Sequence, residues 1–266
     1  MDSTIRDRPT RVAIAGATGR IGTLTRLLLE EAGHEVVPLS RHHGVNLVTG
    51  AGLDDALNGV GAVIDVTNST SRDRSETTGF FRAVSANLLT RGLHAGVGHH
   101  VVLSIAGVGR VNGNAHYAGK RAQEAAVEAG QVPYTIVPAT QFHDFAEMVA
   151  SWSEADGVAR VPPLLVQPIA PRDVAAILTR VATGPAQGRH VDVAGPDTHD
   201  LVDMARRTHE ARGRSVRLVP TWDDGVFDAT MAGNVLLPGH DVEIAPTSFD
   251  EWLGSQREVR RHGRSL

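Results

Sequence analysis

Apolar positions along the first half of the chain follow two alternating rhythms. Short unbroken runs have the length of buried strands, and between them apolar residues recur three and four apart, as on one face of a helix. The run Val12 to Ala15 ends at Gly16, and Ile21, Leu24 and Leu28 then keep helical spacing until Gly33. Glu35 to Leu39 reads as a second strand, Gly44 to Val48 as a short third, and Leu53 to Leu57 as a short helix. A fourth strand is expected over Ala62 to Asn68, a helix over Ser75 to Leu93, and a fifth strand over Val101 to Ile105. A helix from Ala118 to Ala129 and a sixth strand from Tyr134 to Val137 follow. Strand and helix alternate throughout, which predicts an α/β protein with a mainly parallel, doubly wound sheet.

From Ala139 onward the pattern loosens. Pro162, Pro163, Pro168 and Pro171 punctuate an expected loop, Thr140 to Gln167, before a helix from Asp173 to Ala182 and a strand from His190 to Val193. Leu201 to Arg212 and the closing Phe249-Asp-Glu-Trp252-Leu253 are expected in a smaller C-terminal lobe. The predicted division is a core of residues 10–140 to which 168–195 return, a smaller lobe of 141–167 and 196–266, and a flexible N-terminus over 1–9. Ligands of open α/β sheets lie beyond the carboxyl ends of the strands. The loop and the lobe are therefore expected to cover a substrate, with Gln141, Phe142 and His143 as substrate contacts.

The first strand-to-helix turn carries the clearest chemistry. Gly16, Gly19 and Gly22 are spaced as a dinucleotide-binding turn requires: one for the tight turn, one for close approach of backbone to pyrophosphate, one for packing helix on strand. With Ala17, Thr18, Arg20 and Ile21 they are the expected phosphate cradle at a helix N-terminus. At the end of the second strand, NAD-binding folds place an acidic residue on the ribose 2′-hydroxyl and NADP-binding folds a basic one. This chain has Ser40-Arg41 there, and no Asp or Glu between Glu35 and Asp54. NADP(H) is the expected cofactor, with Arg20 as a second guanidinium.

Composition narrows the field by exclusion. The chain has 266 residues, 41% hydrophobic and 21% charged, with a net charge of -4. Nothing in that balance forms a basic footprint for nucleic acid. No run approaches the ~18 apolar residues of a membrane span, and the charged first residues do not read as a signal peptide. A cytoplasmic protein is expected, with a small-molecule substrate and no nucleic-acid or membrane partner; oligomeric state is not legible. The absence of Cys excludes disulfides, thiolate metal sites and cysteine nucleophiles. The 13 His are scattered, and the adjacent pairs His42-His43 and His99-His100 point apart rather than converging, so no metal site is expected.

Of 26 basic residues only Lys120 is a lysine. A retained ammonium among guanidinium groups suits a site that needs a compact charge on a flexible stem. It stands in Asn114-Ala-His116-Tyr117-Ala-Gly119-Lys120, near the start of a helix. With the spaced glycines, Asp65-Val-Thr67-Asn68-Ser69, Val101-Val-Leu-Ser104-Ile-Ala-Gly107, Val132-Pro-Tyr-Thr-Ile-Val137, Ala139-Thr-Gln141-Phe142 and the closing Phe249 to Leu253, this segment resembles the atypical short-chain dehydrogenase/reductase superfamily, in its NmrA-like NAD(P)H-binding branch.

The resemblance covers nearly the whole chain and implies a Rossmann sheet. It also implies a Tyr-x-x-x-Lys pair, the Lys holding the nicotinamide ribose and the Tyr acting as acid, with a Ser or Thr after the fifth strand polarising the substrate oxygen. Ser104 and Lys120 match; the Tyr does not. His116 stands four before Lys120 and Tyr117 three before it, and both spacings share a helix face. A Tyr of pKa ~10 must fall by about three units to work near pH 7, a bias of roughly 4 kcal/mol. His116 needs no such help, but a nearby ammonium disfavours its imidazolium. Either residue remains the candidate acid.

The resemblance implies an NADPH-dependent oxidoreductase that reduces a carbonyl, enone or quinone group of a small hydrophobic, aromatic or polyketide-like metabolite. Ser104, His116, Tyr117 and Lys120 are its expected catalytic set, and Thr67 and Asn68 lie near the cofactor. Two alternatives share the fold: a non-catalytic NADP-binding sensor of the NmrA type, and an NADP-dependent epimerase or dehydratase.

Overall fold

The computed structural model describes residues 10–222 and 227–263, with side chains described to residue 256. The expected flexible segment 1–9 lies outside the described residues. In chain order the elements are β1 (Arg11–Ala15), α1 (Arg20–Glu31), β2 (Glu35–Leu39), α2 (Leu53–Ala56), β3 (Ala62–Asp65), α3 (Arg74–His94), β4 (His99–Ile105), α4 (Ala115–Glu128) and β5 (Tyr134–Ala139). There follow α5 (Phe145–Ser153), β6 (Val158–Val161), β7 (Leu165–Val166), α6 (Pro171–Ala182), β8 (Gly188–Arg189), β9 (Asp192–Ala194), β10 (His199–Asp200), α7 (Leu201–Ala211), β11 (Arg217–Pro220), β12 (Val242–Ile244) and α8 (Phe249–Gly263).

The chain divides into two compact units. The first takes residues up to Ser104, then 115–137 and 174–190; the second takes 105–114, 138–173 and 191 onward. Compared with the division expected from sequence, the segment after β4 and the strand β9 go with the second unit rather than the core.

In the first unit the strands lie in the order β5-β4-β3-β1-β2, with β8 beside β5. β1 runs parallel to β2 and β3, and β3 parallel to β4. This is the mainly parallel sheet with flanking helices that strand and helix alternation predicts. Period 2 along each strand sends Ala13 and Ala15, Val63, Val102 and Ile136 to one face. There they pack with Leu53 and Leu57 near α2, Val84 and Leu88 of α3, and Val127 of α4. Gly119 is what allows α4 to lie close on α3: a Cβ there would sit 2.6 Å from both the Phe81 ring and the Thr77 methyl.

Two expected strands differ. β3 stops at Asp65 rather than Asn68, because the Asp65 carboxylate accepts from the Thr67 backbone N–H at 2.9 Å and its hydroxyl at 2.6 Å, turning the chain out of the sheet. Residues 44–48 form no strand at all. Gly44 takes φ 76°, and the Asn46 side chain accepts from the N–H groups of Val48 and Thr49, a local turn that competes with any ladder.

The second unit pairs β12 with β9, β11 with β6 and β10 with β7. The stretch read as a loop, 140–167, contains α5, β6 and β7. Ala146, Val149 and Ala150 of α5 are buried, while the large apolar residues Met148 and Trp152 are exposed on it.

Candidate functional site

The turn after β1 is built as its glycines suggest. Gly16 takes φ 86°, and a Cβ there would meet the Val66 carbonyl oxygen at 2.9 Å. A Cβ on Gly22 would lie 2.2 Å from the Gly16 oxygen and 2.8 Å from the Ala17 Cα, so the first turn of α1 tolerates no side chain there. Gly19 donates its N–H to the Gly16 carbonyl at 3.0 Å and caps α1 without any side-chain hydrogen bond. No acidic residue stands in the first turn of the helix. A helix end with unspent N–H groups and no competing carboxylate is a site for an anion. Thr18 and Arg20 are exposed around it, and Ala17 and Ile21 are buried beneath it.

Ser40 and Arg41 follow β2 directly. The Ser40 hydroxyl lies 2.8 Å from His43 Nδ1. Arg41 is exposed and makes no ion pair among the described residues, which leaves its guanidinium open to a phosphate. These groups fit a dinucleotide in shape and in charge: a glycine cradle that a methyl group would fill, an anion-binding helix end, and a cation at the end of the second strand.

Beyond the carboxyl ends of β3 and β4 lies a buried polar cluster. Asp65 shares its strand face with Val63 and so projects toward α3 and α4, where it is fully buried. A buried carboxylate persists only if hydrogen bonded. Its Oδ1 accepts the two Thr67 bonds, and its Oδ2 accepts from Gln123 Nε2 at 2.8 Å. Lys120, Gln123 and Val127 form one stripe of α4 by their i, i+3, i+7 spacing. The Lys120 ammonium donates to the Leu103 carbonyl at 2.9 Å, to Gln123 Oε1 at 2.9 Å and, more loosely, to the Thr67 carbonyl at 3.4 Å. It also lies 4.8 Å from the centroid of the Phe81 ring. Burial pushes Lys120 down to about 8, opposed by the charges of Asp65 and Glu124. Glu124 in turn is paired with Arg189 at 3.0 Å.

Ser104 follows Leu103 on the strand and shares the face of Val102 and Asp65. It is 3% exposed, and its Oγ has no hydrogen-bond partner. An orphaned buried hydroxyl is costly unless something else completes it. His116 and Tyr117 both start α4, as expected from sequence. The His116 ring is half-buried, 6.1 Å from the Phe81 centroid, and is pushed down to about 4 by burial and then by the Lys120 charge. Tyr117 is buried, as is Thr67, while Asn68 is exposed.

Of the three expected substrate residues in the second unit, His143 is a core residue. It is fully buried, with the rings of Phe249 and Trp252 each 5.6 Å away and Nε2 3.1 Å from the Thr247 carbonyl oxygen. Gln141 is buried at 8% exposure, and its carbonyl accepts from Ile169 N–H. Phe142 bridges Ile169 and is half-buried. Asp65 and Gln123 escaped the sequence reading of the site; their polarity at core positions of strand and helix was the available signal.

Among the described residues no three His, Cys, Asp or Glu side chains group as metal ligands would, and no helix is long and apolar enough to cross a membrane.

The fold and the glycine turn together define a Rossmann-type α/β chain. Among solved structures it is similar to a short-chain dehydrogenase/reductase superfamily protein from Agrobacterium tumefaciens with bound NAD, at 16% identity and TM-score 0.72, covering 96% of this chain and 98% of that one. It is similar to dTDP-4-dehydrorhamnose reductase from Bacillus anthracis in complex with NADP, at 15% identity and TM-score 0.71, covering 92% and 97%. The Citrobacter sp. triphenylmethane reductase complexed with NADP(H) is similar at 18% identity and TM-score 0.58, covering 79% of each chain. No protein-family profile and no curated protein sequence matches.

Proposed function

We propose that the protein is an NADP-dependent oxidoreductase that reduces a carbonyl, enone or quinone group of a small hydrophobic metabolite. The observation that carries this reading is a single ammonium, Lys120, held at the carboxyl ends of β3 and β4 next to the unpartnered Ser104 hydroxyl. Similarity in fold to reductases that bind NADP supports the same reading.

The glycine turn and the start of α1 would hold the pyrophosphate, and Arg41 the 2′-phosphate. Bound NADPH would supply the hydride. Ser104 Oγ would donate a hydrogen bond to the substrate oxygen. Lys120 would turn its loosest donor, the one now on the Thr67 carbonyl, to the ribose and place positive charge near the reacting carbon. His116 serves as a neutral hydrogen-bond donor: with its ring held to about 4, only about one molecule in a thousand carries an imidazolium at pH 7. The proton that completes reduction then comes through water or from Tyr117.

One observation favours a second reading, a protein that binds NADP without turning it over. Lys120 already has an internal acceptor for every donor, and a neutral His116 is a weak acid. The deciding experiment records NADPH and NADH oxidation over quinones, enones and ketones, with cofactor binding measured in parallel. Turnover with NADPH supports the reductase. Tight NADPH binding with none selects the sensor, and a preference for NADH removes the assignment of Arg41.

A further inference from the structure

We propose that Asp65 and Gln123 are positioning residues for Lys120: the carboxylate fixes which way the Gln123 amide faces, and the amide fixes the ammonium. The inference about cofactor contact rests on the reading above; the relay itself rests on the hydrogen bonds.

A carboxylate can only accept, so the end of Gln123 that meets Asp65 Oδ2 must be the NH2. The opposite end is then the carbonyl oxygen, and an ammonium can only donate, so Oε1 is the end that suits Lys120. The three groups are matched in one sense only, and reversing the amide would set NH2 against an ammonium and oxygen against a carboxylate. Asp65 is clamped from its other side by Thr67, whose own carbonyl is the loose third acceptor of Lys120. The carboxylate thus acts on the ammonium through two routes without touching it.

The groups facing this cluster come from every element around it. β3 contributes Asp65, α4 contributes Glu124 and His116, and β4 contributes His100, buried and held below the usual imidazole range by burial. α3 contributes the Phe81 ring. Against that background the charges of Asp65 and Glu124 oppose the loss of the buried ammonium's proton, and the Gln123 carbonyl oxygen holds it in place.

The chain has one lysine, so protein grown on [ε-13C]lysine gives a single side-chain signal whose shift against pH reads Lys120 directly. Asp65→Asn keeps an oxygen for Thr67 and puts NH2 toward Gln123, and the Lys120 midpoint should fall by about one pH unit or more. Gln123→Glu in that background restores the pattern with carboxylate and amide exchanged, and the midpoint should return toward that of the parent. Gln123→Met cuts the link while leaving Asp65 in place, and should also lower the midpoint. An unchanged midpoint in Asp65→Asn and Gln123→Met, or no recovery in the exchanged pair with its fold intact by circular dichroism, overturns the relay. NADPH affinity measured over the same pH range should follow the Lys120 midpoint. If the exchange recovers the titration but affinity does not follow it, the relay stands and the cofactor contact of Lys120 is removed.

Discussion

The ammonium of Lys120 donates a 2.9 Å hydrogen bond to the carbonyl of Leu103, the residue before Ser104 on the same strand. Helix and strand end are thereby locked where open α/β sheets bind their ligands. Lys120→Met should leave the Leu103 carbonyl and Gln123 Oε1 without a donor, at a cost of about 1–3 kcal/mol. NADPH affinity should fall at least tenfold. Denaturant melts and fluorescence titration separate the two effects, and an unchanged affinity would remove Lys120 from the cofactor site.

Cofactor affinity should also depend on pH through this residue. Burial lowers Lys120 to about 8, so the ammonium is mostly present at pH 7 and mostly absent by pH 9. Affinity for NADPH should be flat below that value and drop about tenfold per unit above it. Isothermal titration from pH 6 to pH 9.5 would show the break, or its absence.

The glycine turn offers a contrast between space and conformation. Gly22→Ala forces a Cβ to within 2.2 Å of the Gly16 oxygen, where no flexible side chain can yield. A loss of about 3 kcal/mol and of NADPH binding is expected. Gly33→Ala meets nothing within 4 Å and pays only for its φ of 82°, about 1–2 kcal/mol, with binding retained. Equal losses of binding in both would show that the effect is global destabilisation.

Arg41→Ala tests the choice of cofactor. The guanidinium is exposed, so its attraction to a 2′-phosphate is worth about 1 kcal/mol or less, roughly fivefold in the NADPH to NADH affinity ratio. The ratio in the parent protein should shrink with added salt, and that salt dependence should vanish in the variant.

His116 should leave its mark on acid stability. Its folded value of about 4 lies below the unfolded one near 6.5, so the unfolded chain binds the proton first as pH falls. Stability is then fully present above 6.5 and declines as pH drops toward 4, by about 3 kcal/mol for this group. His116→Gln should show a shallower decline between pH 7 and 4 in urea melts, and equal slopes would place the ring in water.

Local pattern was enough for the sheet because β3 and β4 are buried on both faces and α1 and α4 each show one apolar stripe. The turn at Gly16 to Gly22 was legible because backbone crowding leaves only glycine, and Lys120 because it is the chain's one ammonium. The strand expected at residues 44–48 failed because Asn46 and positive-φ glycines satisfy the backbone locally, an outcome decided by side-chain hydrogen bonds rather than polarity. α5 was hidden because it is only nine residues long and carries its largest apolar side chains, Met148 and Trp152, on its exposed side.

What the sequence by itself determined is a parallel α/β core with an anion-binding turn, and where along the chain its chemical groups stand. Tertiary structure alone decided how those groups meet. Asp65, Gln123 and Lys120 are separated by up to 58 residues, and only the pairing of β3 with β4 and the docking of α4 put carboxylate, amide and ammonium in line. His143 shows the converse: polar and placed beyond a strand end, it reads as a ligand contact, yet the closing helix supplies Phe249 and Trp252 and makes it core.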